Sequence, residues 1–129
     1  TTEIYTLSLH DALPISSILM ALMASGMSGQ NFAFNGYLPV KNPEKAQQIK
    51  FLERRMQTEG QTQIFIEAPY RNLQLLDDLL KNCDPQTLLC IAADITLDTE
   101  FIQAKPVAYW KTHLPDIQKR PAIFLSGNI

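Results

Sequence analysis

Thr62-Gln63-Ile64-Phe65-Ile66-Glu67-Ala68-Pro69-Tyr70-Arg71 turns from strand to helix at a single corner. The continuous apolar run through Ile64, Phe65 and Ile66, with β-branched residues in it, reads as a strand buried on both faces. Pro69 suits the start of a helix, where an amide hydrogen has no partner to lose. Beyond it Leu73, Leu76 and Leu80, with Leu75 and Leu79 beside them, recur at helical spacing and predict its inward face. Asp84-Pro85 breaks that helix. A buried strand feeding a helix is the unit of an α/β sheet, and ligands of such sheets bind beyond the carboxyl ends of the strands. Glu67 and Ala68 therefore occupy a corner where a ligand is expected. A carboxylate there also suits a helix start on its own.

The same pattern extends in both directions. Upstream, Asn42 caps and Pro43 starts a helix carrying Ala46, Ile49, Leu52 and Met56 on one face, with Gly60 as its stop. Lys45, Lys50, Arg54 and Arg55 are expected on its exposed face. Phe32 to Tyr37 reads as a short strand closed by Leu38-Pro39. Ser16 or Ser17 is placed to cap a helix running to about Ser25 and ended by Gly26. Its residues Ile18, Leu19, Met20, Leu22 and Met23 leave it apolar nearly all round, which predicts burial.

Downstream, Thr87 to Ala93 is a second buried strand, and Asp98-Thr99 connects it tightly to a strand over Glu100 to Ala104. Pro106 to Thr112 reads as one or two helical turns, and Pro121 to Ser126 as the last strand. Helical crossovers imply parallel neighbours, and the short connection implies an antiparallel pair. The expected fold is α/β, a single three-layer-like domain with a mixed, roughly five-stranded sheet and packed helices.

Composition supports one globular domain: of 129 residues, 46% are hydrophobic and 19% charged, which excludes a disordered chain. A net charge of −2 gives no general attraction for nucleic acid, so any RNA contact needs a local basic patch. Cys83 and Cys90 read as buried thiols of a reducing compartment. They form no metal-ligand spacing with His10 or His113, and no metal is expected. Gly26, Gly29, Gly36, Gly60 and Gly127 make neither a dinucleotide fingerprint nor a P-loop. No Ser/Cys–His–acid set suggests nucleophilic catalysis. The apolar run from Ala12 to Met27 is too short and too interrupted by serine to span a bilayer. Acidic Glu3 and Asp11 precede it where a secretory signal would be basic. The expected location is cytoplasmic, with no membrane partner.

Several side chains have two readings. Ser16-Ser17 at a helix start is either a simple cap or a ligand contact at the positive end of the helix dipole. Lys41, Lys45, Lys50, Arg54, Arg55 and Arg71 either meet phosphates or form a solvated face interspersed with Glu44, Glu53 and Glu59. Phe34, Asn35 and Tyr37 either stack on and hydrogen-bond an unpaired base or belong to the strand's core and edge.

Three segments in fixed order carry a resemblance. They are Ser16-Ser17-Ile18-Leu19, Phe32-Ala33-Phe34-Asn35-Gly36-Tyr37-Leu38-Pro39 and Ile64-Phe65-Ile66-Glu67-Ala68-Pro69-Tyr70-Arg71. From about Ser16 to Ile129 the chain resembles the C-terminal lobe of the tetrapyrrole-methylase-like AdoMet-dependent methyltransferases. Within them it is most similar to the 16S rRNA (cytidine-2'-O)-methyltransferases. The resemblance implies S-adenosyl-L-methionine as cofactor, with Ser16, Ser17, Glu67, Ala68, Ile95, Pro121 and Ala122 near it. It implies Phe34, Asn35, Tyr37 and Arg71 near an RNA substrate, and leaves the catalytic residues unknown. The implied partners are a missing N-terminal lobe of the same enzyme and small-subunit rRNA, with a homodimer left open. Alone, the fragment is expected to be inactive and to bind AdoMet weakly at best. A small-molecule, tetrapyrrole-type methylase lobe and a non-catalytic binding or dimerisation module are the alternatives.

The family's Gly-Pro ahead of the Ser-Ser pair is replaced here by Pro14-Ile15. Residues 1–15, TTEIYTLSLHDALPI, resemble the translation of a sequencing adapter and are read as a non-native tract ahead of a lobe over 16–129. The alternative is a genuine first strand in which Ile4, Thr6 and Ser8 alternate with Tyr5, Leu7 and Leu9.

Overall fold

A computed structural model describes residues 15–128. The tract expected to be non-native therefore lies, but for Ile15, outside the described residues, as does the alternative first strand.

The elements are α1 (Ile15–Ser25), β1 (Phe32–Tyr37), α2 (Glu44–Glu59), β2 (Thr62–Ile66), a 3-10 turn (Pro69–Arg71), α3 (Asn72–Asn82), β3 (Leu88–Ala93), β4 (Phe101–Pro106), α4 (Val107–Thr112) and β5 (Ala122–Ser126). They build one five-stranded mixed sheet of order β1-β2-β5-β3-β4. β1 and β2 are parallel, joined by α2. β3 and β4 are antiparallel across the short connection. The crossover through α3 does not make β2 and β3 neighbours, contrary to expectation. β5 inserts between them and is antiparallel to both. β2 and β5 are buried along their whole length, as central strands with both faces covered must be.

The sheet has a helix layer on each face. Phe65, Leu89, Ile91 and Phe124 pack with Ile49, Leu52, Leu75, Leu76, Leu79 and Trp110 under α2, α3 and α4. Ile64, Cys90, Ile123 and Leu125 face the other way and meet Ile18, Ala21 and Leu22 of α1. Alternate residues of one strand thus serve two cores, as the two-residue repeat requires.

Four expectations are corrected. α1 is not buried all round: Ile15, Leu19 and Met23, spaced four apart, are exposed, and only the Ile18, Ala21, Leu22 and Ser25 face is buried. Ser16 and Ser17 lie inside its first turn rather than ahead of it, because the helix begins at Ile15. Leu73 faces outward, since α3 starts at Asn72 and aims Leu75, Leu76, Leu79 and Leu80 inward. Lys45 is buried, not exposed, and takes the inward position expected of Ala46 because Asp78 of α3 faces it.

The ends of α2 follow local chemistry. Asn42 Oδ1 accepts the Ala46 amide hydrogen at 3.2 Å, and Gly60, at φ 66°, donates its own amide hydrogen to Met56 O. Among the described residues no helix is long and apolar enough to cross a membrane, and no cluster of three metal-ligating side chains occurs.

Candidate functional site

Strand direction assembles the site. β1, β2 and β3 run one way, and β4 and β5 the other. The carboxyl ends of the first three strands therefore share one rim with the amino ends of the last two. The register pairs Ile66 with Ile123 and Ala93 with Ala122. Glu67-Ala68, Asp94-Ile95 and Pro121-Ala122 emerge side by side, and the Asp94 amide hydrogen bonds to Pro121 O at 3.0 Å.

α1 lies on one face of the sheet. Its C-terminal exit lies at the opposite rim, where Thr62 Oγ1 donates to Ser28 O and Met27 Sδ sits 3.0 Å from the place of a Cβ on Gly127. At about 1.5 Å per residue the helix is about 16 Å long, matching the length of the central strands it crosses. α1 lies over β4 and β5, and Ile95 packs against the core that α1 covers.

Glu67 is the most unusual group there. Its residue is 6% exposed, and Oε1 accepts the Ala68 amide hydrogen at 2.8 Å. Oε2 is buried and has no hydrogen-bond partner among the described residues. Leaving a buried carboxylate oxygen bare costs on the order of 1–3 kcal/mol, more for a charge, so the site favours a hydrogen-bond donor from water or a ligand. Ala68 and Pro121 are partly exposed beside it, and Ala122 is buried.

Arg71 follows on the 3-10 turn. Its guanidinium lies 5.1 Å from the centre of the Tyr70 ring and donates to the Tyr70 hydroxyl at 2.7 Å. That hydrogen bond, and the field of Tyr70, raise its pKa above the usual arginine value. The turn is held from below: Asn72 Nδ2 donates to Ile117 O and Arg120 O, Gln118 Nε2 to Tyr70 O, and the Lys119 amide hydrogen to Pro69 O.

The RNA-facing candidates divide. Phe34 and Tyr37 are exposed on the edge strand β1, with Tyr37 at the rim end. Asn35 is committed to structure: Nδ2 donates to Gln63 Oε1 at 3.1 Å and to Ile64 O at 3.3 Å, tying β1 to β2.

A cluster that the sequence did not single out joins the two rim segments. Asp94 Oδ2 lies 2.8 Å from Arg120 Nε and 2.7 Å from Thr99 Oγ1. The other Arg120 nitrogens reach Thr99 O and Asp116 O. The single hint was a basic residue directly before Pro121. The pairing spans twenty-six positions, and no periodicity reports it.

Two cavities lie away from these residues. An apolar one beneath α2 is lined by Leu38, Ile49, Leu52, Phe65 and Leu89. An open cleft at the opposite rim is lined by Met56, Gln57, Asp84, Gln86 and Asn128.

No protein-family model matches the sequence. Over 104 residues, 81% of the chain, it is 33% identical to the ribosomal RNA small subunit methyltransferase I of Vibrio cholerae, of which the match covers 35%. The protein of the same name from Buchnera aphidicola is 33% identical over 84 residues, covering 65% of this chain and 28% of that one. That from Synechocystis is 32% identical over 89 residues, covering 67% and 30%. The chain spans about a third of the length of the curated relatives it matches. Among solved structures, the methyltransferase CobJ superposes with a TM-score of 0.55 at 19% identity, over 86% of this chain and 47% of that one. The cobalamin biosynthetic enzyme cobalt precorrin-4 methyltransferase, CbiF, gives 0.55 at 16% identity, over 86% and 48%. At such identities the likeness is one of fold.

Proposed function

Because the chain is homologous to part of the ribosomal RNA small subunit methyltransferases I and has the tetrapyrrole-methylase fold, we propose that it forms one wall of an AdoMet cleft. The whole enzyme methylates a ribose 2'-hydroxyl of small-subunit rRNA in the cytoplasm. The observation that carries this reading is the buried Glu67 Oε2 at the carboxyl-end rim, without a hydrogen-bond partner among the described residues.

The residues at the rim suit the cofactor. Glu67 Oε2 accepts a hydrogen bond from a hydroxyl or amino group of the ligand. Ile95 and the Pro121-Ala122 segment offer apolar surface to a flat base. Ser16 and Ser17, in the first turn of α1, bring amide hydrogens and the positive dipole end toward electron-rich groups. When bound, AdoMet supplies a methyl group on a positively charged sulfur. The chain's own task would be to orient that group in line with an acceptor oxygen before reaction. Phe34 and Tyr37 offer rings on which an unpaired base stacks, and Arg71 a guanidinium for a phosphate.

The partner is the remainder of the enzyme. The exposed Ile15, Leu19 and Met23 stripe of α1 is apolar surface that a second lobe covers. Alone, this part binds AdoMet weakly and does not turn over.

The test is methyl transfer. Extended by an N-terminal lobe of the length its relatives carry, the enzyme should place tritiated methyl on a 2'-hydroxyl of small-subunit rRNA, read as a dinucleotide resistant to alkaline hydrolysis. Label on a tetrapyrrole acceptor and none on RNA would sink the proposal.

A further inference from the structure

Ile95 and Pro121-Ala122 come from two different loops, and each lies close to residues in the left-handed region. Asp94 and Thr96, on either side of Ile95, have φ of 52° and 70°, and Lys119, just before Arg120, has φ of 65°. None is glycine, so each sits in the left-handed region at a cost that surrounding contacts must offset. These loops are exposed from Thr96 to Glu100 and at Gln118 and Lys119; Ile95 and Ile117 anchor them to the two cores, and the Leu97 and Arg120 amide hydrogens close their turns on Asp94 O and Ile117 O.

The Arg120 side chain adds a tie between the loops. Its Nε meets Asp94 at the end of β3, and its terminal nitrogens meet the carbonyls of Thr99 in the β3–β4 turn and Asp116 in the α4–β5 loop. One planar fork thus joins the two loops, a geometry that lysine cannot reproduce. Asp94 is 8% exposed and takes both Arg120 Nε and Thr99 Oγ1 on Oδ2, while its amide hydrogen holds Pro121 O. The ion pair is partly buried, where solvent screening is weaker than at the open surface.

We infer that the Asp94–Arg120 pair is a positioning clamp that sets Ile95 against Pro121-Ala122 and so fixes the shape of the AdoMet wall. Neither side chain belongs to the set assigned to cofactor contact; both act through their neighbours. The inference rests on the cofactor reading of the rim given above.

The experiment titrates the 15N-labelled chain with S-adenosylhomocysteine and follows amide shifts. In the unaltered chain, shifts at Glu67, Ala68, Ile95 and Ala122 are expected. Arg120→Gln should weaken binding about tenfold and abolish the shifts at Ile95 and Ala122 while sparing those at Glu67 and Ala68. Arg120→Lys, which keeps the charge but not the fork, should fall between. If Arg120→Gln does not fold, Thr99→Val removes one hydrogen bond from the clamp and should weaken binding roughly two- to threefold. Variants that melt earlier yet bind with unchanged affinity and an unchanged shift pattern would overturn the clamp alone. A chain whose rim amides do not respond to the probe at all would overturn the cofactor reading and the clamp with it.

Discussion

Lys45 Nζ lies 2.7 Å from Asp78 Oδ2, with both side chains almost wholly withdrawn from solvent. This pair pins α2 to α3 on the face of the sheet that carries the larger core, and Gln74 Nε2 donates to the same Asp78 oxygen. Breaking one side of a buried pair strands a charge. Lys45→Ala or Asp78→Asn should therefore cost about 3–5 kcal/mol. Replacing both at once, Lys45→Met with Asp78→Leu, should be near neutral, because the desolvation penalty goes with the charges. Urea unfolding of the singles and the double checks this; single variants within about 0.5 kcal/mol of the parent would refute it.

Gly60 ends α2 in the left-handed region, and no atom lies within 4 Å of an added Cβ. The cost of Gly60→Ala is then purely one of backbone conformation, about 1–2 kcal/mol. Gly60→Asn should recover part of it, since asparagine tolerates that conformation better. Chemical denaturation compares the two, and equal stabilities for Ala and Asn would contradict the assignment.

Burial pushes the thiols of Cys83 and Cys90 from the ordinary 9.0 up to about 12, with Glu53 adding to the effect at Cys83. A folded state that holds these protons more tightly than the unfolded chain keeps their contribution in full below pH 9. That contribution is lost as pH climbs through the folded-state value near 12. Stability should decline over this window, and less steeply in a Cys83→Ala, Cys90→Ala chain. At pH 8 a disulfide reagent should react slowly with the folded chain and at once after urea is added.

The sheet's individual strands were legible because β2, β3 and β5 are short apolar runs bounded by turn residues. Their order was not. All three are buried on both faces, so no local pattern says that β5 enters between β2 and β3. α1 was misjudged for a related reason: apolar residues on every side report a preference for burial, and on this chain only one face finds a surface. Lys45 and Arg120 owe their positions to acidic partners far away in sequence, which spacing rules along one helix or strand do not register. At the rim, the Glu-Ala-Pro corner was readable from its strand-to-helix change. The bare oxygen on Glu67 is a property of three-dimensional surroundings alone.

That oxygen offers a test in which stability and binding move in opposite directions. Glu67→Gln keeps the side chain's shape and its acceptor for the Ala68 amide hydrogen. It replaces the unpartnered oxygen with an amide nitrogen and removes a charge from a buried site. If the carboxylate exists to meet a donor on the cofactor, the variant should unfold at a higher temperature, by about 1 kcal/mol in stability, because the desolvated charge is gone. Its affinity for S-adenosylhomocysteine should drop about tenfold, because the ligand's donor now faces another donor. Calorimetry reads the first quantity and the amide-shift titration the second. Loss of both together would mean that Glu67 supports the corner's fold and meets no ligand; retention of affinity with raised stability would remove the carboxylate from the cofactor wall.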